Sequence, residues 1–231
     1  MSTTATAMID LVTQHLTLDD PEQISPSLRA ALLALAGHRK VSYEEFAARP
    51  VRQSQAEWLD GDIIQLREPS ATHQRTVEFL FRLMRTYADV RGLGVVRTAP
   101  TQLHLNGSVR IPDVVFVANQ NLDRVKLNHL TGAPDVVIEV VDSHTAASDR
   151  GAKFYEYERA HIPEYWLIDP HRAWAEFYVL DRLGRYQPGI VGDAGVFRSR
   201  AAQGFWLRLE WLWEPPHPSQ ALRELAPIMI R

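Results

Sequence analysis

The sequence predicts an α/β domain with a mixed central β-sheet flanked by helices. The segment Ser70–Gly92 has the apolar spacing of an amphipathic helix, and a second helix is predicted from about Ser148 to Ala160. Short strand-like segments lie between these helices and after the second one. Two of them, Asp113–Val117 and Asp135–Val141, carry apolar residues on both faces, as central strands covered on both sides do.

The bulk properties of the chain exclude several classes of protein. A net charge of −3 gives no overall attraction to nucleic acid, so such binding would need a local basic face. The absence of cysteine excludes disulfides, thiolate zinc sites and cysteine nucleophiles. The longest apolar run, Ala30–Ala36, is far shorter than the ~20 residues that span a bilayer. Together with a start that lacks a secretory signal, this predicts a cytoplasmic protein without a membrane partner.

The chain is predicted to consist of one domain with two appendages. Residues 1–40 are expected to form an N-terminal helical extension, residues 41–213 the domain, and residues 214–231 a C-terminal tail with a Pro-rich beginning, EPPHPSQ. The helical spacing in the extension is carried by Leu28, Ala31, Leu32 and Leu35, with Gly37 as a stop signal.

The domain opens with local signals that are specific for short elements. The stretch SYEEF predicts a short helix in which Ser42 caps the N-terminus and Glu45 completes a capping box. The stretch EWLDGDIIQL predicts a hairpin with a tight turn at Asp60–Gly61. In the long helix that follows, the apolar stripe consists of Val77, Leu80, Phe81, Met84 and Tyr87.

Strands make up most of the remaining domain. The stretch EYWLID, Glu164–Asp169, predicts a strand directly after the second helix, and the segment Ala173–Leu212 resembles antiparallel strands separated by turns. The strands between the helices are predicted at Val95–Thr98, Thr101–Leu105, Asp113–Val117 and Asp135–Val141.

One of these strands contains a carboxylate that demands a partner. Glu139 lies in an otherwise aliphatic run, where an ionised side chain costs several kcal/mol unless it is paired or binds a metal. Asp135 is four residues away on the same strand, about 13 Å at ~3.3 Å per residue, too far to share one cation. Asp113 opens a different strand, and neighbouring strands lie only ~4.8 Å apart. We therefore expect Asp113 to meet Glu139.

Two converging acids repel each other unless positive charge lies between them, which suggests a hard divalent ion and a lysine. Lys153 is the expected lysine, because it lies early in the helix after the Glu139 strand and its stem can reach back. His73 shares the apolar stripe of the first long helix. It is therefore expected to point inward, where it would orient a phosphate or bridge to a carboxylate.

In these residues the sequence resembles the PD-(D/E)XK nuclease superfamily and, more specifically, the Uma-type restriction endonuclease family. The resemblance covers roughly residues 41–213. The ordered motifs are Tyr43–Phe46 (YEEF), Asp60–Ile64 (DGDII), His73, Arg110–Asp113 (R-x-P-D), Glu139, Asp149–Tyr157 (D-x-x-x-K-x-x-x-Y) and Glu164–Asp169 (E-Y-W-L-x-D).

The resemblance implies a restriction-endonuclease-like fold and a divalent-metal-dependent endonuclease that hydrolyses DNA. It implies that Asp113, Glu139 and the backbone carbonyl of Val140 bind Mg²⁺ or Mn²⁺. The superfamily usually has a lysine two residues after the second acid, where this chain has Val141, so Lys153 would take that role. Cutting both strands of a duplex with one site per chain favours a homodimer.

A second departure from the family pattern lies directly after the Glu139 strand. Asp142 and Ser143 stand where the family more often has serine and proline. An extra acid there would either recruit a second ion or raise the proton affinity of the carboxylates.

Other interpretations remain open for the protein as a whole. The chief alternative is a catalytically silent module of the same fold that binds nucleic acid or a protein partner. A glycosidase with paired carboxylates is disfavoured, because sugar sites usually need exposed aromatic platforms. The chain has no G-x-x-x-x-G-K-S/T loop, no G-x-G-x-x-G after a strand and no G-x-S-x-G elbow, which argues against an NTPase, a dehydrogenase and a serine hydrolase.

The individual site residues also have purely structural interpretations. Glu139 could be a buried acid in a salt bridge. Lys153 could pair with Asp149 on a solvated helix face, and His73 could be a capping or core histidine.

Overall fold

The computed structural model describes residues 40–49, 55–142 and 144–225. The predicted N-terminal extension, apart from Lys40, and the last six residues of the predicted tail lie outside them. The chain divides into two compact units, residues 1–48 and 49–231. In the first unit, helix α1 has the predicted capping box, in which the Ser42 hydroxyl accepts from the Glu45 amide and the Glu45 carboxylate accepts from the Ser42 amide.

Short strands and one long helix make up the described structure. The helices are α1 (Tyr43–Ala47), α2 (Ala71–Arg91), α3 (Ala146–Ser148), α4 (Phe154–Arg159), α5 (Glu210–Trp213) and α6 (Pro218–Leu225), with a 3₁₀-helix at Asn119–Arg124 and a π-helical turn at Asp149–Lys153. The strands are β1 (Ala56–Leu59), β2 (Asp62–Gln65), β3 (Gly94–Thr98), β4 (Gln102–Leu105), β5 (Ser108–Arg110), β6 (Val114–Ala118), β7 (His129–Thr131), β8 (Val136–Val140), β9 (Glu164–Asp169), β10 (Trp174–Leu180), β11 (Tyr186–Gly192), β12 (Val196–Arg198) and β13 (Trp206–Arg208).

The mixed central sheet has six strands in the order β11-β10-β9-β8-β6-β3. Strands β8 and β9 run parallel, and the other neighbours are antiparallel. Because β8 and β9 are parallel, they need a crossover connection, and the segment from α3 to α4 supplies it. The sequence-based prediction of a mixed sheet flanked by helices is confirmed.

Both faces of the central sheet are covered. On one face α2 contributes buried side chains such as Leu80 and Leu83, which join Phe116, Ile138 and Trp166 in one apolar cluster. On the other face Val115, Val137 and Leu167 form a second cluster with two buried tyrosines, Tyr157 and Tyr165. The odd-numbered residues of β6 and β8 therefore share the face that carries Glu139.

Helix α2 has clear signals at both ends. The Ser70 hydroxyl accepts from the His73 amide at the N-terminus, and Gly92 ends the helix with a φ of 59°. Of the predicted stripe, Val77, Leu80, Met84 and Tyr87 are buried, whereas Phe81 is only partly buried.

No helix among the residues that the structure describes is long and apolar enough to cross a membrane.

A second sheet of five strands, in the order β2-β1-β5-β4-β7, was not predicted as such. Its β1–β2 hairpin has the expected turn, since Asp60 and Gly61 have φ values of 47° and 92° and a type I′ turn needs positive φ at both positions. At the C-terminal end, β12 pairs with β13, and Ala221 and Leu225 of α6 are buried in the α2 cluster. Part of the predicted tail therefore packs on the domain.

Candidate active site

Asp113 directly precedes β6 and Glu139 lies in β8, and these two strands are antiparallel neighbours in the interior of the central sheet. The register pairs Val114 with Ile138, so one further step along both strands sets Asp113 opposite Glu139. The Val140 amide donates to Oδ2 of Asp113 over 2.7 Å. Asp135 lies at the other end of β8, where it accepts from the Ala118 amide at 2.7 Å. The structure thus brings Asp113, and not Asp135, next to the backbone around Glu139.

His73 contacts the same carboxylate from the first turn of α2. Its Nε2 lies 3.1 Å from Oδ2 of Asp113, and its side chain is 9% exposed. Burial alone would lower the pKa of His73, but the hydrogen bond and charge of Asp113 raise it. The Ser70 amide donates to Oδ2 of Asp142 at 3.0 Å, which links the start of α2 to the loop after β8. His73 is therefore a buried partner of Asp113.

The ammonium group of Lys153 is surrounded by three carboxylates. Its Nζ lies 3.0 Å from Oε1 of Glu139, 3.1 Å from Oδ1 of Asp149 and 3.7 Å from Oε1 of Glu57. The Tyr157 hydroxyl donates to the same Oε1 of Glu139 over 2.7 Å. The lysine side chain is only 6% exposed, so its pair with Asp149 does not lie on a solvated helix face. Among the described residues no ion pair joins Lys153 to Asp113.

The segment that carries the lysine contains a local change of helix type. The sequence predicts one helix from Ser148 to Ala160, but the structure has a π-helical turn at Asp149–Lys153 between α3 and α4. Residues four apart lie on the same face of such a helical segment. Asp149 and Lys153 therefore face the sheet together, and the Tyr165 hydroxyl fixes the turn by donating to the Asp149 carbonyl at 3.0 Å.

Glu57 is the site residue that sequence reasoning missed. It lies in β1 with 2% exposure, accepts from the Ile111 amide at 3.0 Å and pairs with Arg110 at 2.8 Å. Arg110 also donates to Glu156 at 2.8 and 2.5 Å, and Ser108 hydroxyl donates to the other oxygen of Glu156. This network connects the second sheet to Lys153. In a hairpin strand with alternating apolar and polar residues, an acid usually faces solvent. The sequence pattern therefore did not predict that Glu57 is buried.

The buried ionic cluster contains more carboxylates than cations. Burial raises the pKa of Glu139 to about 8, although the Lys153 ammonium acts in the opposite direction. Burial likewise raises the pKa of Asp149. Burial alone would lower the pKa of Lys153, but Glu139, Asp149 and Glu57 raise it well above its usual value. Burial would raise the pKa of Glu57, but Lys153 and Arg110 lower it. The excess negative charge means that this cluster favours the binding of additional positive charge.

The donor set fits a hard divalent cation. Asp113 uses Oδ2 and Glu139 uses Oε1 for the contacts above, and within the described residues the other oxygen of each accepts no hydrogen bond. Carboxylate and carbonyl oxygens are the ligands of Mg²⁺, which typically takes one or two carboxylates and completes its shell with water and substrate phosphate. Residues 40–49, 55–142 and 144–225 contain no group of three or more His, Asp or Glu side chains placed to hold a metal ion.

The mixed sheet and its flanking helices make this a restriction-endonuclease-like α/β fold. Residues 43–210 match the model of the Uma2 family, described as "Putative restriction endonuclease". The chain therefore belongs to the Uma2 family, and the resemblance seen in the sequence motifs is confirmed. None of the curated proteins matches the sequence.

A solved structure is similar to this chain in fold. It is described as the crystal structure of "a putative nuclease belonging to DUF820" from Anabaena variabilis ATCC 29413. The two chains have 16% sequence identity and a TM-score of 0.65, and the match covers 75% of this chain and 98% of the other. This similarity establishes the fold, while the roles of the site residues depend on their chemistry.

Proposed function

We propose that this protein is a divalent-metal-dependent endonuclease that hydrolyses phosphodiester bonds in DNA. The family description supports a nuclease. The observation that carries the proposal is the position of Lys153, whose Nζ lies 3.0 Å from Oε1 of Glu139. Glu139 lies in β8, which pairs with β6, the strand that follows Asp113. An ammonium group can stabilise the negative charge that develops on a phosphate, and two acids from adjacent strands can hold a catalytic metal ion.

Asp113, Glu139 and the carbonyl of Val140 would hold Mg²⁺ or Mn²⁺. Such an ion, when bound, polarises the scissile phosphate and lowers the pKa of a coordinated water. Lys153 supplies a fixed positive charge for the negative charge that develops on the phosphate. Asp149 is four residues earlier in the same turn, and its carboxylate keeps the ammonium in place.

His73 acts through Asp113. Its contact with Oδ2, together with the Val140 amide, fixes the orientation of the carboxylate and leaves Oδ1 for a cation. His73 is thus proposed as a positioning residue, with a role in fixing one acid of the site. We further propose that the protein acts in the cytoplasm as a homodimer, since one site per chain cuts only one strand of a duplex.

One observation favours a second candidate, a catalytically silent module of the same fold that binds nucleic acid or a protein partner. The ion pairs of Lys153 with Glu139, Asp149 and Glu57 satisfy part of the buried charge without a metal. Such a module need not take up a metal at Asp113. Calorimetric titration with Mn²⁺ separates the two candidates. The nuclease requires that the wild type binds Mn²⁺ and that Asp113→Ala does not, whereas the silent module has no such requirement.

Plasmid cleavage in Mg²⁺ or Mn²⁺ tests the proposed activity. The wild type should convert supercoiled plasmid to nicked and linear forms, and EDTA should stop the reaction. Asp113→Ala and Glu139→Ala should abolish cleavage, and Lys153→Ala should slow it by about 10²–10³-fold. Asp89→Asn, on the exposed face of α2, is the control and should cleave like the wild type. Equal activity of the wild type and the three site variants would reject the proposal.

A further inference from the structure

A small cleft opens on the surface beside the candidate active site. It has a volume of about 250 Å³ and is lined by Arg150, Arg172, Trp174 and Glu176. Arg150 belongs to the π-helical turn that also carries Lys153, whereas Trp174 and Glu176 belong to β10. The cleft therefore combines an aromatic ring with guanidinium groups, which is the chemistry that recognises a nucleotide.

The strand register fixes where the cleft lies relative to the site. Glu139 is paired with Leu167 on β9, and Leu167 is paired with Glu176 on β10, so these three residues form one row across the sheet. Paired residues point to the same face, so Glu176 lies on the face of Glu139, two strands or about 10 Å away. Trp174 is paired with Asp169, and it is the next residue of β10 on the same face, two positions before Glu176.

The side chains of the cleft differ in how firmly they are held. Arg150 is fixed, because its guanidinium lies 3.1 Å from Glu176 and 3.2 Å from Asp169. Arg172 is 77% exposed and approaches Asp169 only to 3.9 Å, so its charge is available to a phosphate. Trp174 is 41% exposed. Its ring could stack on a base only if that base were not already stacked within a duplex.

We propose that this cleft binds one unpaired nucleotide of the substrate strand, with its base on Trp174 and its phosphate at Arg172. The identity of the ligand rests on the proposed nuclease function. Glu176 lies about 10 Å from Glu139, so the cleft is within reach of a nucleotide only a few positions from the scissile phosphate. The ion pairs of Arg150 with Glu176 and Asp169 hold this side of the cleft in a fixed position.

Fluorescence anisotropy with a labelled single-stranded 12-nucleotide DNA, in Ca²⁺ instead of Mg²⁺, tests the proposal. Trp174→Ala should weaken single-strand binding at least about fivefold, because stacking on an aromatic ring contributes substantially per base. It should change the affinity for a 12-base-pair duplex less than about twofold. Trp174→Phe keeps a ring and should stay within about twofold of the wild type on the single strand.

The arginine requires a different readout. Arg172→Ala should reduce the slope of log K against log salt concentration by about one, since one phosphate contact is lost. Arg182→Ala, an exposed arginine at the far end of β10, is the matched control and should leave the slope unchanged. An unchanged slope in Arg172→Ala would overturn the phosphate contact.

The outcomes also separate this proposal from the function on which it rests. If the wild type cleaves DNA and Trp174→Ala binds single strands like the wild type, the cleft proposal is overturned and the nuclease function stands. Equal losses on single strands and duplexes would also overturn it. If the wild type binds the single strand in a Trp174-dependent manner but cleaves nothing in Mg²⁺ or Mn²⁺, the subsite is supported and the nuclease function fails.

Discussion

The ammonium group of Lys153 lies 3.1 Å from Oδ1 of Asp149, four residues earlier in the same π-helical turn. Asp149 is 1% exposed, and within the described part of the chain neither of its carboxylate oxygens has a donor with hydrogen-bonding geometry. The contact is therefore mainly between charges. It gives Lys153 a second anion beside Glu139, so the lysine stays in place when Glu139 is engaged by a cation.

Replacing Asp149 with Asn should lower kcat about tenfold or more and leave KM nearly unchanged, because a lysine misplaced by about 1 Å stabilises the transition state less well. Steady-state cleavage of a labelled oligonucleotide measures both constants. Asp123→Asn, in the 3₁₀-helix, serves as the control. A wild-type kcat in Asp149→Asn would show that Asp149 does not position the lysine.

Glu57 should be essential for stability, since it is a buried charge with two cationic neighbours. Glu57→Ala leaves Arg110 buried with one partner fewer, and breaking a buried ion pair costs about 3–5 kcal/mol in the free energy of unfolding. Urea denaturation measures this loss. Glu78→Ala removes the exposed partner of Arg82 and should cost less than about 1 kcal/mol. Similar losses in the two variants would contradict a special role for Glu57.

Asp142 should weaken substrate binding by its charge. It lies at the N-terminus of α2, where a phosphate would otherwise be favoured, and accepts from the Ser70 amide at 3.0 Å. Asp142→Asn keeps an acceptor for that amide and removes the negative charge. We expect KM for DNA to fall several-fold while the free energy of unfolding changes little. An unchanged KM at low salt, where charge effects are strongest, would refute the expectation.

The stacked rings of His104 and His129 should make folding sensitive to pH. Burial lowers the pKa of His104 to about 4, and the nearby His129 acts in the same direction. An unfolded histidine titrates near ~6.5, so between about pH 6.5 and 4 the unfolded chain binds more protons than the folded one. Stability contributed by the neutral ring is present above this window and is lost as the pH falls through it.

The test compares urea midpoints at about pH 7.5 and 5.0. His104→Gln cannot titrate and should lose less stability between these two values than the wild type. His161→Asn is the control, because it replaces an exposed histidine with a residue that also tolerates the φ of 58° at this position. Its loss of stability between the two pH values should equal that of the wild type. A loss in His104→Gln as large as in the wild type would exclude His104 as the sensitive group.

The sequence predicted best those elements that are stabilised by residues close to each other along the chain. The capping box at Ser42 and the turn at Asp60–Gly61 depend on contacts within a few positions in the sequence, and the buried face of α2 is marked by the spacing of its own apolar residues. The other strands between the helices could be recognised from patterns that continue for four residues or more. Strands β5 and β7 have only three residues each, too few for a pattern to be distinguished from a turn.

The site was only partly predictable, for a physical reason. A buried acid in a valine-rich strand signals a need for a partner, which led to Asp113 and Lys153. Arg110 and Ile111, the partners of Glu57, in contrast lie more than fifty residues away along the chain, and the pairing of β1 with β5 in the second sheet brings them together. The spacing of four residues predicted a common face for Asp149 and Lys153. The change from α- to π-helical geometry leaves no mark in the spacing of apolar residues, so it could not be foreseen.

The π-helical turn makes the chain length between β8 and β9 critical. It accommodates more residues than an α-helical turn of the same rise, so removing the exposed Ala152 would allow the segment to relax into a regular α-helix. Each residue of an α-helix rotates by about 100°, and such a deletion would leave only three residues from Asp149 to Lys153 and so change the direction of the carboxylate relative to the ammonium group. Insertions and deletions in this crossover are therefore expected to be tolerated far less well than substitutions at the same exposed position.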